Sequence, residues 1–241
     1  MKILLISDLH LASERPAVTT AFINFLHEQA AQCEALYILG DLFEIWIGDD
    51  DSAPLARKII GELKALSEAG TQLYVLHGNR DFSIGRRFCR ETGASLIKEH
   101  QLVDLYGENV LLLHGDTLCT DDEDYQRARR RLRNPFLLWF LTSLPLALRR
   151  RLALVGRQKS KASTHVKAQY ILDVNPEAVR EALHNFGVST MIHGHTHRPD
   201  DHKIELGNQA QGRRIVLGDW HEKGWFVEAS SAGLKLQSFD I

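Results

Sequence analysis

The chain has 241 residues, 44% of them hydrophobic and 25% charged, which is ordinary globular composition and enough length to bury a sizeable core in one large domain or two small ones. The formal net charge of −2 hides a segregation: residues 125–172 hold twelve of the 29 Lys and Arg and none of the 31 Asp and Glu, so that segment favours an anionic partner. Cys33, Cys89 and Cys119 are odd in number and far apart, which excludes a disulfide framework and a zinc-finger site and fits free thiols in a reducing cytosol.

In chain order, KILLIS reads as a buried strand that meets Asp8 with no cleavage site after it, so no signal peptide is expected. A helix is expected from Pro16, then a buried strand ALYILGD, then an amphipathic helix that stops at Gly70. QLYVLHGN is a third strand and SIGRRFCRETG a short helix. QLVDLYG and NVLLLHGD form a strand pair turning at Gly107-Glu108-Asn109. Residues 122–172 read as several helices broken at Asn134-Pro135 and Pro145. A helix from Pro176 to about Gly187 follows, then the strand STMIHGH, and four strands fill the last forty residues. Early βαβ units with a strand-rich end predict two packed sheets with outer helices.

Five polar clusters each follow an apolar strand: SDLH (Asp8, His10), GDLFE (Asp41), GNRD (Asn79), HGD (His114) and GHTH (His195, His197). Ligand sites in α/β sheets gather beyond the carboxyl ends of strands, so five such releases can address one volume. Each cluster alone is an ordinary turn, but together they supply seven oxygen and imidazole donors and no thiolate. That set suits two divalent cations, with Mn²⁺ fitting well and Fe²⁺, Co²⁺ and Zn²⁺ as alternatives. Asp41, expected on a central strand, is the natural bridge between them. Two such metals serve an in-line displacement at phosphorus and leave no need for a serine or cysteine nucleophile.

In order and spacing these clusters resemble the calcineurin-like metallophosphoesterase superfamily. The resemblance implies an α/β fold, a four-layer αββα sandwich of two mixed β-sheets. It also implies a dinuclear site: Asp8, His10, Asp41 and His197 for one metal, and Asp41, Asn79, His114 and His195 for the other. His195 and His197 are expected on one extended stretch, pointing the same way. His193 falls outside the pattern and reads as a strand-end residue. LYILGDLFEIWIGDDD, HGNRDF, LHGDTLCTDD, IHGHTHRP and RIVLGDW narrow the resemblance, over essentially the whole chain, to the UDP-2,3-diacylglucosamine pyrophosphohydrolases of lipid A synthesis. Members of that family cleave the diphosphate with Mn²⁺ by water attack on the uridine-side phosphorus. The resemblance gives Asp41, Asn79, Arg80, His114 and His195 catalytic roles. It gives Asn79, Arg80, Asp122, Arg157, Ser160, Thr164, Lys167 and His195 substrate contacts, with Thr164 in place of the family's asparagine. Arg80 stands where most of the superfamily has histidine, and an arginine can hold phosphate bidentately.

The run from Pro135 to Leu148 is apolar but short of the roughly 20 residues that span a bilayer. Arg129–Arg133 and Arg149–Arg151 bracket it, which suits an interfacial element whose basic side chains meet lipid phosphates. Residues 123–170 are accordingly expected to form a helical cap, or lid, inserted in a single domain spanning 1–241. The chain is expected to work as a monomer, without nucleic acid, peripherally on the anionic cytoplasmic face of a bacterial inner membrane. Two alternatives remain on the same motifs: a nuclease or cyclic-nucleotide phosphodiesterase, and a non-catalytic membrane-surface protein. In the acidic run GDDD, Asp51-Ser52 reads as a helix cap rather than a metal site. Phe43, Trp46 and Ile47 are expected to pack under the cap.

Overall fold

The structure, a computed structural model, describes residues 2–166, 173–207 and 210–241, and the side chains of all of these except 159–166. One six-stranded sheet has β1 (Ile3–Ile6), β2 (Ala35–Ile38), β3 (Gln72–Val75), β4 (Ser95–Leu96), β10 (Lys223–Ser230) and β11 (Gly233–Asp240) in the order β11-β10-β1-β2-β3-β4. Strands β1 to β4 are parallel and β10 and β11 antiparallel to their neighbours. A five-stranded sheet has β5 (His100–Leu105), β6 (Glu108–Leu113), β7 (Thr190–His193), β8 (Asp200–Glu205) and β9 (Gln211–Val216) in the order β5-β6-β7-β9-β8. In it β6, β7 and β9 are parallel and the edges antiparallel.

Period-two alternation along the buried strands explains the layering. Leu4 and Ile6 face an apolar layer shared with Phe22, Phe25, Ile59, Ile60, Leu63 and Phe88 of the helices α1 (Pro16–Glu28), α2 (Pro54–Glu68) and α3 (Arg86–Thr92). Ile3 and Leu5, one residue out of phase, join Leu112, Ile192 and Ile215 between the sheets. Leu111, Leu113 and Met191 face outward to Val179 and Leu183 of α7 (Pro176–Phe186). Three apolar layers therefore separate four layers of secondary structure: the αββα sandwich.

The basic segment forms α4 (Glu123–Leu132), α5 (Pro135–Ser143) and α6 (Leu146–Val166), broken where Asn134-Pro135 and Pro145 predict. The same device starts α5 and α7. Proline takes the first turn, where an N–H would have no helical partner, and the preceding Asn134 or Asn175 side chain accepts the next two N–H groups. Asp122 caps α4 by accepting from the Tyr125 N–H at 3.0 Å.

Three local expectations change. The β5–β6 turn lies at Tyr106-Gly107, both at positive φ, one residue earlier than expected, because a two-residue hairpin turn needs that conformation twice. Phe43 and Trp46 stack at 4.6 Å and pack on Phe88 of α3, whereas Ile47 lies against α6, its carbonyl accepting from Arg149 at 2.7 Å. Asp51 accepts the Ala53 N–H at 3.1 Å within the loop, while α2 starts at Pro54 with no side-chain cap.

Candidate metal centre

The loops after β1 and β2 keep pairing beyond the strands: Asp8 N–H to Gly40 O, His10 N–H to Asp41 O, Leu11 N–H to Leu42 O and Glu44 N–H to Leu11 O, all at 3.0–3.1 Å. This ladder sets Asp8, His10, Asp41 and Glu44 side by side at the carboxyl edge of the first sheet. The loop after β3 is tied in by Asp81, which accepts the Gly78 and Leu42 N–H groups at 2.8 Å and the Asp41 N–H at 3.3 Å. Burial, with the nearby Asp41 charge, holds the Asp81 carboxyl above the usual carboxylate range despite those donors. The second sheet delivers His114 after β6 and His195 and His197 after β7.

Among the described residues six non-glycine residues have positive φ, and five are Asp8, His10, Asp41, His195 and His197. Each such conformation costs an L-residue of order 1–3 kcal/mol, so the surrounding structure holds all five against that cost. This corrects the expected extended GHTH stretch. β7 ends at His193, and left-handed residues at 195 and 197 send the two rings to different partners. Gly194 is required here, because a Cβ would run into Asp8 Oδ2.

The donors fall into two groups that share Asp41. His10 Nε2 lies 3.2 Å from His197 Nε2 and 3.8 Å from both Asp8 Oδ1 and Asp41 Oδ2; His197 Nε2 is 3.4 Å from Asp8 Oδ1. In the other group Asn79 Oδ1 lies 2.9 Å from both His114 Nε2 and His195 Nδ1, and His114 Nε2 is 3.7 Å from Asp41 Oδ2. Asp41 Oδ2 thus faces both groups, while its Oδ1 accepts the Arg80 N–H at 2.8 Å.

This donor set fits divalent cations. Asp8 Oδ1 is buried with no hydrogen-bond donor, and the His10 and His197 nitrogens face each other, so a positive charge is wanted between them. The electrostatics of the imidazoles agree. Burial opposes a charge on His197, yet the Asp8 carboxylate 3.4 Å from its Nε2 holds it up to about 9. His195, half-buried beside His114 without such a partner, is pushed down to about 4 by its loss of solvent and by the His114 charge. His193 is not part of the cluster: it is buried, its Nδ1–H donates to Gly194 O at 2.8 Å, and its Nε2 faces Arg214 Nη1 at 3.2 Å.

The substrate residues expected from the sequence divide. Arg80 is at the centre, its Nε 3.9 Å from Asp41 Oδ2, buried and without an acceptor. Arg157 reaches the rim, paired with Glu44. Asp122 serves the start of α4, the helix that carries Tyr125 to within 5.9 Å of the His195 ring. The Ser160 and Thr164 side chains, and Lys167 entirely, lie outside the described residues.

The expectation that the bracketing arginines meet lipid phosphates is corrected in part. Arg129 pairs with Asp116 (2.7 Å) and Glu99, Arg133 with Glu99 (2.6 Å) and the Gly78 carbonyl (2.9 Å), and Arg150 with Asp51 (2.6 Å). Arg149 pairs with Asp50. These fasten α4–α6 to the sandwich, and the exposed Arg130, Arg131 and Arg151 form no ion pair among the described residues. Sequence reasoning missed Glu44, Asp81 and Asp116. Each lies within or beside a quoted motif, but acidic residues in turns carry no signal of what they will face.

The family model of the calcineurin-like phosphoesterases matches residues 1–199, the span that contains all seven donors. The chain belongs to the calcineurin-like phosphoesterase family. Among curated phosphoesterases, it is 53% identical over 239 residues to the UDP-2,3-diacylglucosamine hydrolase of Pseudomonas fluorescens (strain Pf-5), covering 99% of this chain and 95% of that one. It is 52% identical over 241 residues to the UDP-2,3-diacylglucosamine hydrolase of Pseudomonas aeruginosa, covering 100% of both. Two solved structures share the phosphoesterase fold. A novel archaeal phosphodiesterase matches at TM-score 0.50 and 12% identity over 100% of both chains. A hypothetical protein of Pyrococcus horikoshii matches at TM-score 0.52 and 12% identity over 100% of this chain and 87% of that one.

Proposed function

We propose that this phosphoesterase hydrolyses the diphosphate bond of UDP-2,3-diacylglucosamine in lipid A synthesis, giving UMP and 2,3-diacylglucosamine 1-phosphate. One observation carries the reading beyond the likeness to the Pseudomonas hydrolases: a cation-seeking donor cluster with arginines at its lip lies beside helices that expose Phe136 (83%), Trp139 (70%) and Phe140 (54%). A substrate with a diphosphate and two acyl chains needs both chemistries side by side. A nucleic-acid groove has no use for the second.

In this reading Asp8, His10, Asp41 and His197 hold one Mn²⁺, and Asp41, Asn79, His114 and His195 hold the other. Bound there, the pair supplies an acidified water and neutralises phosphoryl oxygens. The chain's own residues do the rest. The Arg80 backbone N–H locks Asp41 while its guanidinium, with no acceptor at Nε, is free to take a phosphoryl oxygen. Arg157 takes the second phosphate. The leaving group departs as a phosphate monoester, so arginine charge suffices and no protein acid is required.

Residues 123–170 act as the lid. Asp122, Ser160, Thr164 and Lys167 complete the substrate contacts, and the apolar side chains of α5 and α6 shelter the acyl chains. The enzyme works as a monomer on the cytoplasmic surface of the inner membrane, held by the exposed aromatics together with Arg130, Arg131 and Arg151. No helix among the described residues is long and apolar enough to cross a membrane.

The test is a product assay in ¹⁸O water with Mn²⁺, on UDP-diacylglucosamine and on bis-p-nitrophenyl phosphate. Labelled UMP formed much faster than nitrophenol supports the reaction and the attack on the uridine-side phosphorus. Nitrophenol without UMP would hand the site to another phosphodiester.

A further inference from the structure

We propose that Glu44 is a positioning residue that orients His10 with one carboxylate oxygen and seats Arg157 of α6 with the other. The proposal rests on the reading of His10 as a metal ligand and goes beyond it, because Glu44 belongs to none of the seven donors.

Glu44 Oε2 is 3.1 Å from His10 Nδ1, and Glu44 Oε1 pairs with Arg157 Nε. The two oxygens therefore have different partners, one from the loop after β1 and one from a helix 113 residues further along the chain. The Glu44 backbone is fixed beside His10, because its N–H is bonded to Leu11 O at 3.1 Å and the neighbouring Phe43 forms a parallel bridge with Leu11. Glu44 is buried to about the same extent as Arg157, with side chains 23% and 19% exposed, so neither charge is freely solvated.

The consequence for His10 follows from its two nitrogens. His10 Nδ1 is buried and makes no hydrogen bond, and the Glu44 carboxylate 3.1 Å away favours a proton there; with the proton on Nδ1, Nε2 holds the lone pair, and Nε2 is the atom that faces Asp8, Asp41 and His197. Carboxylates behind ligating histidines fix tautomer and ring orientation in this way, and their loss typically costs about 10–100-fold in metal affinity. The consequence for Arg157 is geometric. Its guanidinium is held at the mouth before a substrate arrives, so less side-chain freedom is lost when a phosphate binds.

The two roles separate by substitution. Glu44→Ala removes both contacts. Glu44→Gln keeps a carbonyl oxygen for His10 Nδ1–H but sets an amide, with no charge, against Arg157. Mn²⁺ titration of the metal-free protein, followed by calorimetry or by electron paramagnetic resonance of free Mn²⁺, reads the first role. KM at saturating Mn²⁺ reads the second. For Glu44→Ala, one of two Mn²⁺ ions should bind about 10–100-fold more weakly and KM should rise. Glu44→Gln should recover Mn²⁺ affinity to within about threefold of wild type while KM stays raised, and Arg157→Ala should raise KM alone.

A residue that merely supports the loop would shift thermal stability in both Glu44 variants without splitting affinity from KM. Wild-type Mn²⁺ affinity in Glu44→Ala, or no recovery in Glu44→Gln, overturns the proposal. If His10→Ala itself leaves Mn²⁺ affinity unchanged, the fault lies with the ligand reading of His10 and not with Glu44.

Discussion

Arg149 crosses from α6 to grip Asp50, 99 residues away in sequence, and Gly48 makes the room for it. The guanidinium is 5% exposed; Nη1 donates to Asp50 Oδ1 and to the Ile47 carbonyl at 2.7 Å, Nη2 to Asp50 Oδ2, and Nε to Leu144 O at 2.8 Å. Gly48 sits at φ +133°, and a Cβ there would strike Arg149 Nη1. Gly48→Ala and Asp50→Ala should therefore loosen the same attachment. Each should cost roughly 1–3 kcal/mol, the loss expected when a charged hydrogen-bonding group is left short of a partner. Hydrogen exchange is the measurement: faster exchange confined to α5 and the start of α6 is expected. Faster exchange across the β-sheets with α5 unchanged would mean that the clamp supports the sandwich and not the cap.

Metal ligation and phosphate binding should come apart in the same way. His197→Ala removes a donor from one group, so Mn²⁺ should be lost from it and activity should fall at least tenfold, partly recovering with excess Mn²⁺. Arg80→Ala removes no donor. It should leave metal content near two ions per chain and still lower kcat/KM by about 10²–10³, the usual cost of a charge-stabilising donor. Metal analysis beside kinetics decides it, and a sharp fall of metal content in Arg80→Ala would refute the assigned role.

Much of this was legible in the sequence, for identifiable reasons. Buried parallel strands give continuous apolar runs, and the polar residues at their ends could be read as one group: Asp8, His10, Asp41, Asn79, His114, His195 and His197 lie together at the strand ends. Asn-Pro and Gly signals located the helix boundaries from 135 to 187 because they act through local backbone geometry. What stayed hidden was partner choice across the fold. The arginines of the basic segment looked like a surface for anions, but Asp50, Asp51, Glu99 and Asp116, scattered over the body, neutralise four of them. The acidic run shows the same limit. Asp49 accepts the Gly85, Arg87 and Phe88 N–H groups at 2.9–3.0 Å, Asp50 takes Arg149, and Asp51 takes Arg150, three tasks for three identical side chains.

His100 should make the fold acid-sensitive in a defined window. It is over half buried, stacked on Phe186 at 5.7 Å with Thr117 Oγ1 at 3.3 Å from Nε2, and burial lowers its pKa from the ordinary 6.5. The unfolded chain therefore takes up the proton first as pH falls. The contribution of neutral His100 is complete above pH 6.5 and is lost as pH drops below it toward the folded value. An NMR titration should place its midpoint below 6.5, and His100→Gln should flatten the fall in melting temperature as pH drops below 6.5. A midpoint above 6.5 would show that Glu99, and not burial, dominates.

The cap's aromatic face should discriminate between lipid and non-lipid substrates. Phe136, Trp139 and Phe140 lie three and four residues apart, so they share one face of α5, and Leu148, Leu152 and Val155 form a similar exposed stripe on α6. Such side chains gain roughly 1.5–3 kcal/mol each when taken out of water, and acyl chains are a partner that provides this. Because no residue of α5 is buried, serine at 136, 139 and 140 should leave the fold intact. The triple variant should lose at least tenfold in kcat/KM on UDP-diacylglucosamine, and sedimentation with anionic vesicles should fall as well. Its rate on bis-p-nitrophenyl phosphate should stay within about twofold of wild type, since nothing in that substrate reaches the cap's apolar face. Equal losses on both substrates would mean that the aromatics act through the metal centre, and the lipid role would be withdrawn.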